Sequence, residues 1–286
     1  MSQNGNGQWM DDATWLAARR KLLTATDSPA ILGVHPTRSA FQVFVEKTEG
    51  VELTEPNEAM RWGQRQEPVI AEAYQEETGR DVAPPPQRLT VHPTIPWMGA
   101  SLDRLVMDGK RGLGVLELKV TSKDVSRAIP AHWQVQVAHQ IEVAGVEWGS
   151  IAVLIRGQRM EWFDVERNDR FIKALLRRLA EFWAEHVLKR VPPPVDGSES
   201  CSRALAAYYA ASREQDVDLP AESAAWAKSY LEAQAEIRRC ETKKTQAQNA
   251  ICAAMGAATI GKAADGTRFS WRPTAKGGRV FRVMGR

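Results

Sequence analysis

Apolar and polar positions follow two periods along the chain, and the change of period divides it. Over 11–21, Trp15 and Leu16, with Leu22 and Leu23 following, predict a short helix. The run Thr24-Ala25-Thr26-Asp27-Ser28-Pro29 reads as the start of another, which Gly33 ends. Ser39 caps a third, with Phe41, Val43, Phe44 and Val45 on its buried side. The strongest helical pattern of the first half is 57–78. There Met60, Gly63, Glu67, Ile70, Tyr74 and Thr78 share one stripe, and Gly79 stops it. Glu67 lies inside that stripe, directly before Pro68.

Pro84 to Pro86 break the chain, and 89–91 reads as a strand. Residues 97–119 follow, WMGASLDRLVMDGKRGLGVLELK. Asp103 stands after a run of small residues, Asp108-Gly109-Lys110-Arg111-Gly112 makes a turn, and Glu117 and Lys119 interrupt an apolar strand. A helix over 132–144, strands at 149–155 and 160–165, and a helix from Asp169 to about Lys189 complete the pattern. That last helix buries Phe171, Leu175, Leu179 and Phe182. Pro192-Pro193-Pro194 then closes a domain expected over 11–195, behind a disordered 1–10. Residues 196–286 form an arm, with helices at 205–211 and 221–255 and a stripe of Trp226, Tyr230, Ala233, Ile237 and Cys240. A hairpin is expected around Phe269-Ser270-Trp271 and Val280-Phe281-Arg282-Val283, turning at Lys276-Gly277-Gly278.

Composition narrows the class. A hydrophobic fraction of 43% and a charged fraction of 26% over 286 residues are those of a globular protein. No window approaches a membrane span and the N-terminus is no secretory signal, so no membrane partner and a cytoplasmic location are expected. Cys201, Cys240 and Cys252 are too widely spaced for a disulfide framework or a thiolate metal site. The net charge of +3 hides an asymmetry: residues 201–286 carry 14 Lys/Arg against 8 Asp/Glu. Beyond Arg268 no acidic residue occurs, which points to a polyanion.

Side chains two apart on a strand share a face, so Glu117 and Lys119 place a carboxylate and an ammonium together where apolar groups belong. Burying such charges costs several kcal/mol each, by order of magnitude, unless they pair or bind a metal. Asp103, Glu117 and Glu67 are hard oxygen donors suited to Mg²⁺, with Mn²⁺ as a substitute. The carbonyl of Leu118 can join them, and Lys119 can serve an attacking water. This chemistry fits hydrolysis of a phosphodiester.

Five blocks, in this order, resemble the PD-(D/E)xK nucleases and, within them, the lambda-exonuclease-like phage recombinases of YqaJ type. They are Trp15 to Arg19 with Leu23 to Asp27; Arg61-Trp62-Gly63 with Glu67; Trp97 to Asp103; Leu116-Glu117-Leu118-Lys119; and Trp133-Gln134-Val135-Gln136. Leu102 departs from the pattern, since many members have proline before the acidic ligand. The resemblance covers about 12–190 and implies an α/β (α+β), restriction-endonuclease-like fold, a mixed central sheet flanked by helices. Asp103, Glu117 and the Leu118 carbonyl are then the principal metal ligands, and Glu67 serves a second metal or its waters. Gln134 steadies Lys119 or the scissile phosphate, and Arg19 and Thr26 form a pocket for a 5′-terminal phosphate.

The resemblance further implies a double-strand DNA exonuclease acting 5′ to 3′ on duplex ends, encoded by a phage or prophage in a bacterial host. The 3′ tails would pass to a single-strand annealing protein, and family members can form rings. A structure-specific endonuclease of the same fold and a non-catalytic DNA-binding scaffold are the rival readings. His132 and His139 are expected to be structural, and Trp62 and Trp97 are the candidates for base stacking.

Overall fold

The apolar runs 115–118 and 151–155 pair side by side in parallel, and this contact organises the larger part of the chain. The structure is a computed structural model in which residues 11–54, 57–211, 214–275 and 277–285 are described. Residues 1–10, expected to be disordered, and Lys276, expected in the last turn, lie outside the described residues. The chain forms two compact units, 1–212 and 213–286.

The first unit opens with α1 (Asp12–Arg20), whose cap Asp11 accepts from the Thr14 amide. Leu23 does not extend that helix. Leu23–Thr24 is a two-residue strand, β1, and α2 (Ser28–Ile31) and α3 (Ala40–Thr48) follow. Ser39 caps α3 as its sequence predicts, accepting from the Gln42 amide. The long α4 (Glu58–Thr78) is capped by Asn57 and stopped by Gly79 at φ 67°. Three short strands come next, β2 (Asp81–Ala83), β3 (Thr90–Val91) and β4 (Met98–Ala100). The hairpin is β5 (Arg104–Asp108) and β6 (Gly112–Thr121), followed by α5 (Ala131–Ala144), β7 (Trp148–Ile155) and β8 (Arg159–Glu166).

Five strands form one mixed sheet in the order β2-β5-β6-β7-β8. Only β6 and β7 are parallel, because α5 is the crossover between them. The small sheet β1-β4-β3 stands apart from it. Apolar side chains cover both faces of the large sheet. Ile70, Ala71 and Tyr74 of α4 pack with Leu116 and Leu118 on one. Val135, Val137 and Ile141 of α5 pack with Val115, Ile151 and Val153 on the other. The alternation along β6 therefore sends Leu116 and Leu118 towards α4 and Val115, Glu117 and Lys119 towards α5.

The helix expected to run to about Lys189 is α6 (Asp169–Phe182), continued by a π-helical stretch, Trp183–Leu188. The proline run does not end the unit at 195. Helix α7 (Glu199–Tyr208) packs on α3, with Cys201 and Ala204 in the same core, and the Ser200 hydroxyl bonds Ser39 and Gln42. Residues 196–212, expected in an arm, thus belong to the main unit, which runs to 212.

The second unit is α8 (Ser223–Met255), then β9 (Ile260–Lys262), β10 (Arg268–Pro273) and β11 (Arg279–Gly285) in an antiparallel sheet ordered β11-β10-β9. The sequence pattern predicts the hairpin and misses β9, whose three residues are too few to show a period. The stripe of Trp226, Tyr230 and Ile237 on α8 is exposed. Among the described residues no helix is long and apolar enough to cross a membrane.

His139 is a structural residue of this fold. Its Nδ1 meets the Ser28 hydroxyl at 2.6 Å and its Nε2 the Gly99 carbonyl at 3.0 Å, joining α5, α2 and β4. Burial holds its pKa down at about 4, against the opposing pull of the Gly99 carbonyl, Asp27 and Glu142 and with His92 nearby. An unfolded histidine near 6.5 binds its proton first. The stability His139 contributes is therefore present above pH 6.5 and lost as pH falls from there to about 4. In urea melts, His139→Gln is expected to flatten the fall in stability across that window.

Candidate active site

Two carboxylates meet where the β5–β6 ladder ends. The last paired residues are Arg104 and Leu116. Two residues beyond Leu116, the Leu118 amide donates not to a backbone carbonyl but to Asp103 Oδ2, at 2.8 Å. A residue's N–H and C=O point to the same edge of a strand, so the Leu118 carbonyl faces the Asp103 carboxylate's side. Asp103 Oδ1 has no hydrogen-bond partner among the described residues.

Glu117 is 2% exposed, and three donors hold it. Lys119 Nζ lies 2.6 Å from Oε1, Gln136 Nε2 donates to the same oxygen at 2.6 Å, and Gln140 Nε2 donates to Oε2 at 2.6 Å. Lys119 in turn donates to Gln136 Oε1 at 3.1 Å. Gln136 and Gln140 are four apart, so one face of α5 presents both amides to Glu117. Gln134 is not on that face. It is exposed, and its amide donates to the Ile129 carbonyl at 2.8 Å. The contact with Lys119 expected of Gln134 is made by Gln136.

Glu67 reaches the same centre from the opposite side of the sheet. Its pKa is raised by burial, with Arg104 and Lys119 pulling it down and Glu117 pushing it up. Asp103 is held well above the ordinary carboxylate range, first by burial and then by Glu117 and Glu67. Burial would depress the Lys119 ammonium, but Glu117 and Asp103 more than offset this and leave it above the usual lysine value. Three carboxylates thus repel one another around one lysine, and Arg104 turns its guanidinium to the Asp103 carbonyl at 2.6 Å.

The donor set fits a divalent cation. It is all oxygen, its carboxylates repel one another as a bound cation would relieve, and Asp103 keeps an unengaged oxygen beside a strand-end carbonyl. Among the described residues, no three His, Cys, Asp or Glu side chains are already drawn into a cage. Two carboxylates and a carbonyl are the core of the set, with Glu67 farther out.

A second cluster lies at the N-terminal end of the unit. Arg19 donates to the Thr26 hydroxyl at 3.0 Å. Arg19 also stacks on Trp15 at 4.5 Å, and Trp15 Nε1 donates to Ser101 at 3.0 Å, which ties α1 to the residues leading into Asp103. Burial lowers the Arg19 pKa and Asp27 offsets it, with Arg38 also close; a guanidinium stays charged throughout. Thr26 is exposed, and α2 beyond it is a single turn too short to add a helix dipole. Behind these residues Asp27, expected at a helix cap, makes no cap bond. It is shared instead by Arg38 at 2.7 Å and Lys47 at 2.8 Å, and Arg38 also pairs with Glu46.

His35 bridges the two clusters electrostatically. Burial, Arg38, His132 and Lys119 all press its pKa down to about 4, and its ring meets His132 edge-on at 5.5 Å. Of the stacking candidates, Trp97 is packed on Trp183 at 5.8 Å, whereas Trp62 is 54% exposed with Arg65 over it.

A mixed five-stranded sheet between helices, with two acidic groups and a lysine gathered where β5 meets its central strand, is the architecture the sequence resemblance implies. Residues 14–147 match the family of YqaJ-like viral recombinase domains. It is 29% identical over 246 residues to the uncharacterised protein YqaJ of Bacillus subtilis, a match covering 83% of this chain and 76% of YqaJ. The first unit ends at 212, about three-quarters of the chain, so that similarity extends into α8. The crystal structure of LHK-Exo with dAMP is 24% identical and covers 60% of this chain and 90% of its own, with a TM-score of 0.50. A second structure of LHK-Exo, an alkaline exonuclease from Laribacter hongkongensis, is 25% identical, covering 62% of this chain and 95% of its own, with a TM-score of 0.49.

Proposed function

We propose that this protein is a metal-dependent DNA exonuclease of phage-type recombination, resecting duplex ends 5′ to 3′ to leave 3′ single-stranded tails. The observation that carries the reading is the convergence of Asp103, Glu117 and Lys119 at one strand end, with Glu67 electrostatically coupled to all three. A non-catalytic scaffold has no physical reason to bury repelling carboxylates. Asp103, Glu117 and the Leu118 carbonyl would hold the first cation, with Glu67 serving a second or its waters, and Mg²⁺ suits this donor set. When bound, the cation supplies Lewis-acid stabilisation of the charge that develops on the scissile phosphate.

The chain's own residues do the rest. Gln136 and Gln140 fix both Glu117 oxygens, so that the carboxylate cannot rotate away. Lys119 presents its ammonium beside Glu117, where it orients the attacking water and stabilises charge gathering on the phosphate. Arg19 and Thr26 supply a guanidinium and a hydroxyl 3.0 Å apart, a suitable pair for a terminal phosphate dianion. The 3′ tail left behind is the substrate an annealing protein requires.

The Arg19 and Thr26 assignment has its own test. Arg19→Ala is expected to lower the preference for 5′-phosphorylated over 5′-hydroxyl ends by about tenfold to a hundredfold, the worth of one charged hydrogen bond. Comparing kcat/KM on the two ends measures it. A wild-type enzyme that cuts both ends equally fast would remove the pocket from the account.

A further inference from the structure

Four cations share one face of the small C-terminal sheet, and the active site uses none of them. In β9–β10 Lys262 pairs directly with Arg268, and Ser270 pairs with Ile260. In β10–β11 Ser270 pairs with Arg282 and Arg272 with Val280. Directly paired residues project to the same side, and so do residues two apart. Lys262, Arg268, Arg272 and Arg282 therefore surround Ser270 on one side of the sheet. All four are exposed, and among the described residues none has an ion-pair or hydrogen-bond partner.

The other face is largely apolar and partly covered. Phe269 stacks on Phe281, Arg279 lies on Trp271 at 3.7 Å, and a side chain at Gly261 would strike Met255 of α8. Arg279 is spent within the unit, donating to the carbonyls of Gly256 and Ala258. The sheet thus has a half-buried apolar side and an exposed cationic side.

Like charges set directly opposite on paired strands destabilise a sheet. Lys262 against Arg268 is such a pair, and the strands β9, β10 and β11 contain no Asp or Glu to neutralise it. The pair costs the sheet some stability, which a polyanion lying across it would offset. From Arg268 to Arg272 the face is about 13 Å long, at roughly 3.3 Å per residue. Duplex DNA carries one negative charge per about 1.7 Å of axis, so several phosphates fall within that span.

We infer that this face is a second DNA-binding site, holding the phosphate backbone of duplex DNA without reading its sequence. The inference rests on the proposed nuclease reading for its choice of polyanion. It adds a grip on duplex in the second unit, made by residues outside the catalytic set.

The test uses the full chain with the four residues changed together, Lys262→Gln, Arg268→Gln, Arg272→Gln and Arg282→Gln. Binding to a blunt fluorescent duplex is measured by anisotropy across a salt series in EDTA, where no cutting is needed. A matching variant with Arg268→Lys, Arg272→Lys and Arg282→Lys keeps the charge, and circular dichroism checks that both fold. The slope of log Kd against log salt is expected to fall by up to about 3.6 in the glutamine variant, about 0.9 per phosphate released. The lysine variant should keep the wild-type slope.

An unchanged slope in a folded glutamine variant overturns the inference. If that variant keeps DNA binding but loses binding to polyglutamate, the face belongs to an acidic protein instead, and the inference is equally overturned. Mg²⁺-dependent cutting by wild type is scored separately. Its absence, with the slope change present, would count against the nuclease reading and leave the binding face standing.

Discussion

Replacing Lys119 by alanine is expected to slow duplex cleavage by about two to four orders of magnitude, the range a single positioned proton-transfer or charge-stabilising group contributes. Duplex binding should persist. The ammonium lies 2.6 Å from Glu117 and 3.1 Å from Gln136, held within the carboxylate cluster. Its loss leaves Asp103, Glu117 and Glu67 repelling one another, with Arg104 still drawing on Glu67. The variant should therefore gain more stability from added Mg²⁺ than wild type does. Thermal melts with and without the cation, beside single-turnover cleavage, separate a chemical role from a folding one. Unchanged cleavage would remove Lys119 from the mechanism.

The second large effect concerns folding. Asp27→Asn should destabilise the first unit by about 3–5 kcal/mol, the cost of leaving a buried cation without its partner. Asp27 is 1% exposed and accepts from Arg38, from Lys47 and from the Thr24 amide and hydroxyl. Burial alone would raise its pKa, but the two cations win and hold it far below the ordinary carboxylate range. Burial wins at Lys47, whose pKa is lowered despite the same ion pair. Because Asp27 is depressed in the folded state, its contribution is present above the unfolded value near 3.9 and is lost as pH falls below it. Chemical denaturation at pH 7 and at pH 3 checks both points, since the gap between wild type and D27N should narrow at the lower pH. Thr26 stands beside Asp27, so folded D27N should also bind 5′-phosphate ends less tightly.

Much of the fold was legible because its long elements carry plain signals. The Asn57 cap, the Gly79 stop and the apolar positions between them define α4. Two apolar runs on either side of a helix define the β6-α5-β7 crossover. The failures have physical causes of the same kind. Leu23 and Thr24 pair with Met98 and Gly99 far along the chain, and two residues carry no period to announce it. The proline run at 192–194 reads as a boundary, but the three buried residues that bring α7 back to the core, Ser200, Cys201 and Ala204, are small and mostly uninformative in sequence.

At the site, Asp103, Glu117 and Lys119 stood out as charges in apolar surroundings, which is a strong local signal. The glutamines did not separate so easily. Gln134 and Gln136 are adjacent in pattern, and only the i, i+4 relation of Gln136 to Gln140 places two amides on one face. That relation was available in the sequence. Asp27 was not, because its partners Arg38 and Lys47 lie on elements whose approach the local pattern cannot give. A carboxylate before Ser-Pro reads as a cap by propensity, and tertiary ion pairing overrode it.

The central claim is that a cation-loaded Asp103/Glu117/Lys119 centre hydrolyses DNA from 5′ ends. Its most direct measurement is digestion of a linear duplex labelled separately at each end of each strand, with a closed circular duplex beside it, in Mg²⁺ and in EDTA. The account predicts release of label from 5′ ends, retention of 3′ label on single-stranded tails, an intact circle and no digestion in EDTA. Cutting of the circle, loss of 3′ label first, or digestion undiminished by EDTA would contradict it.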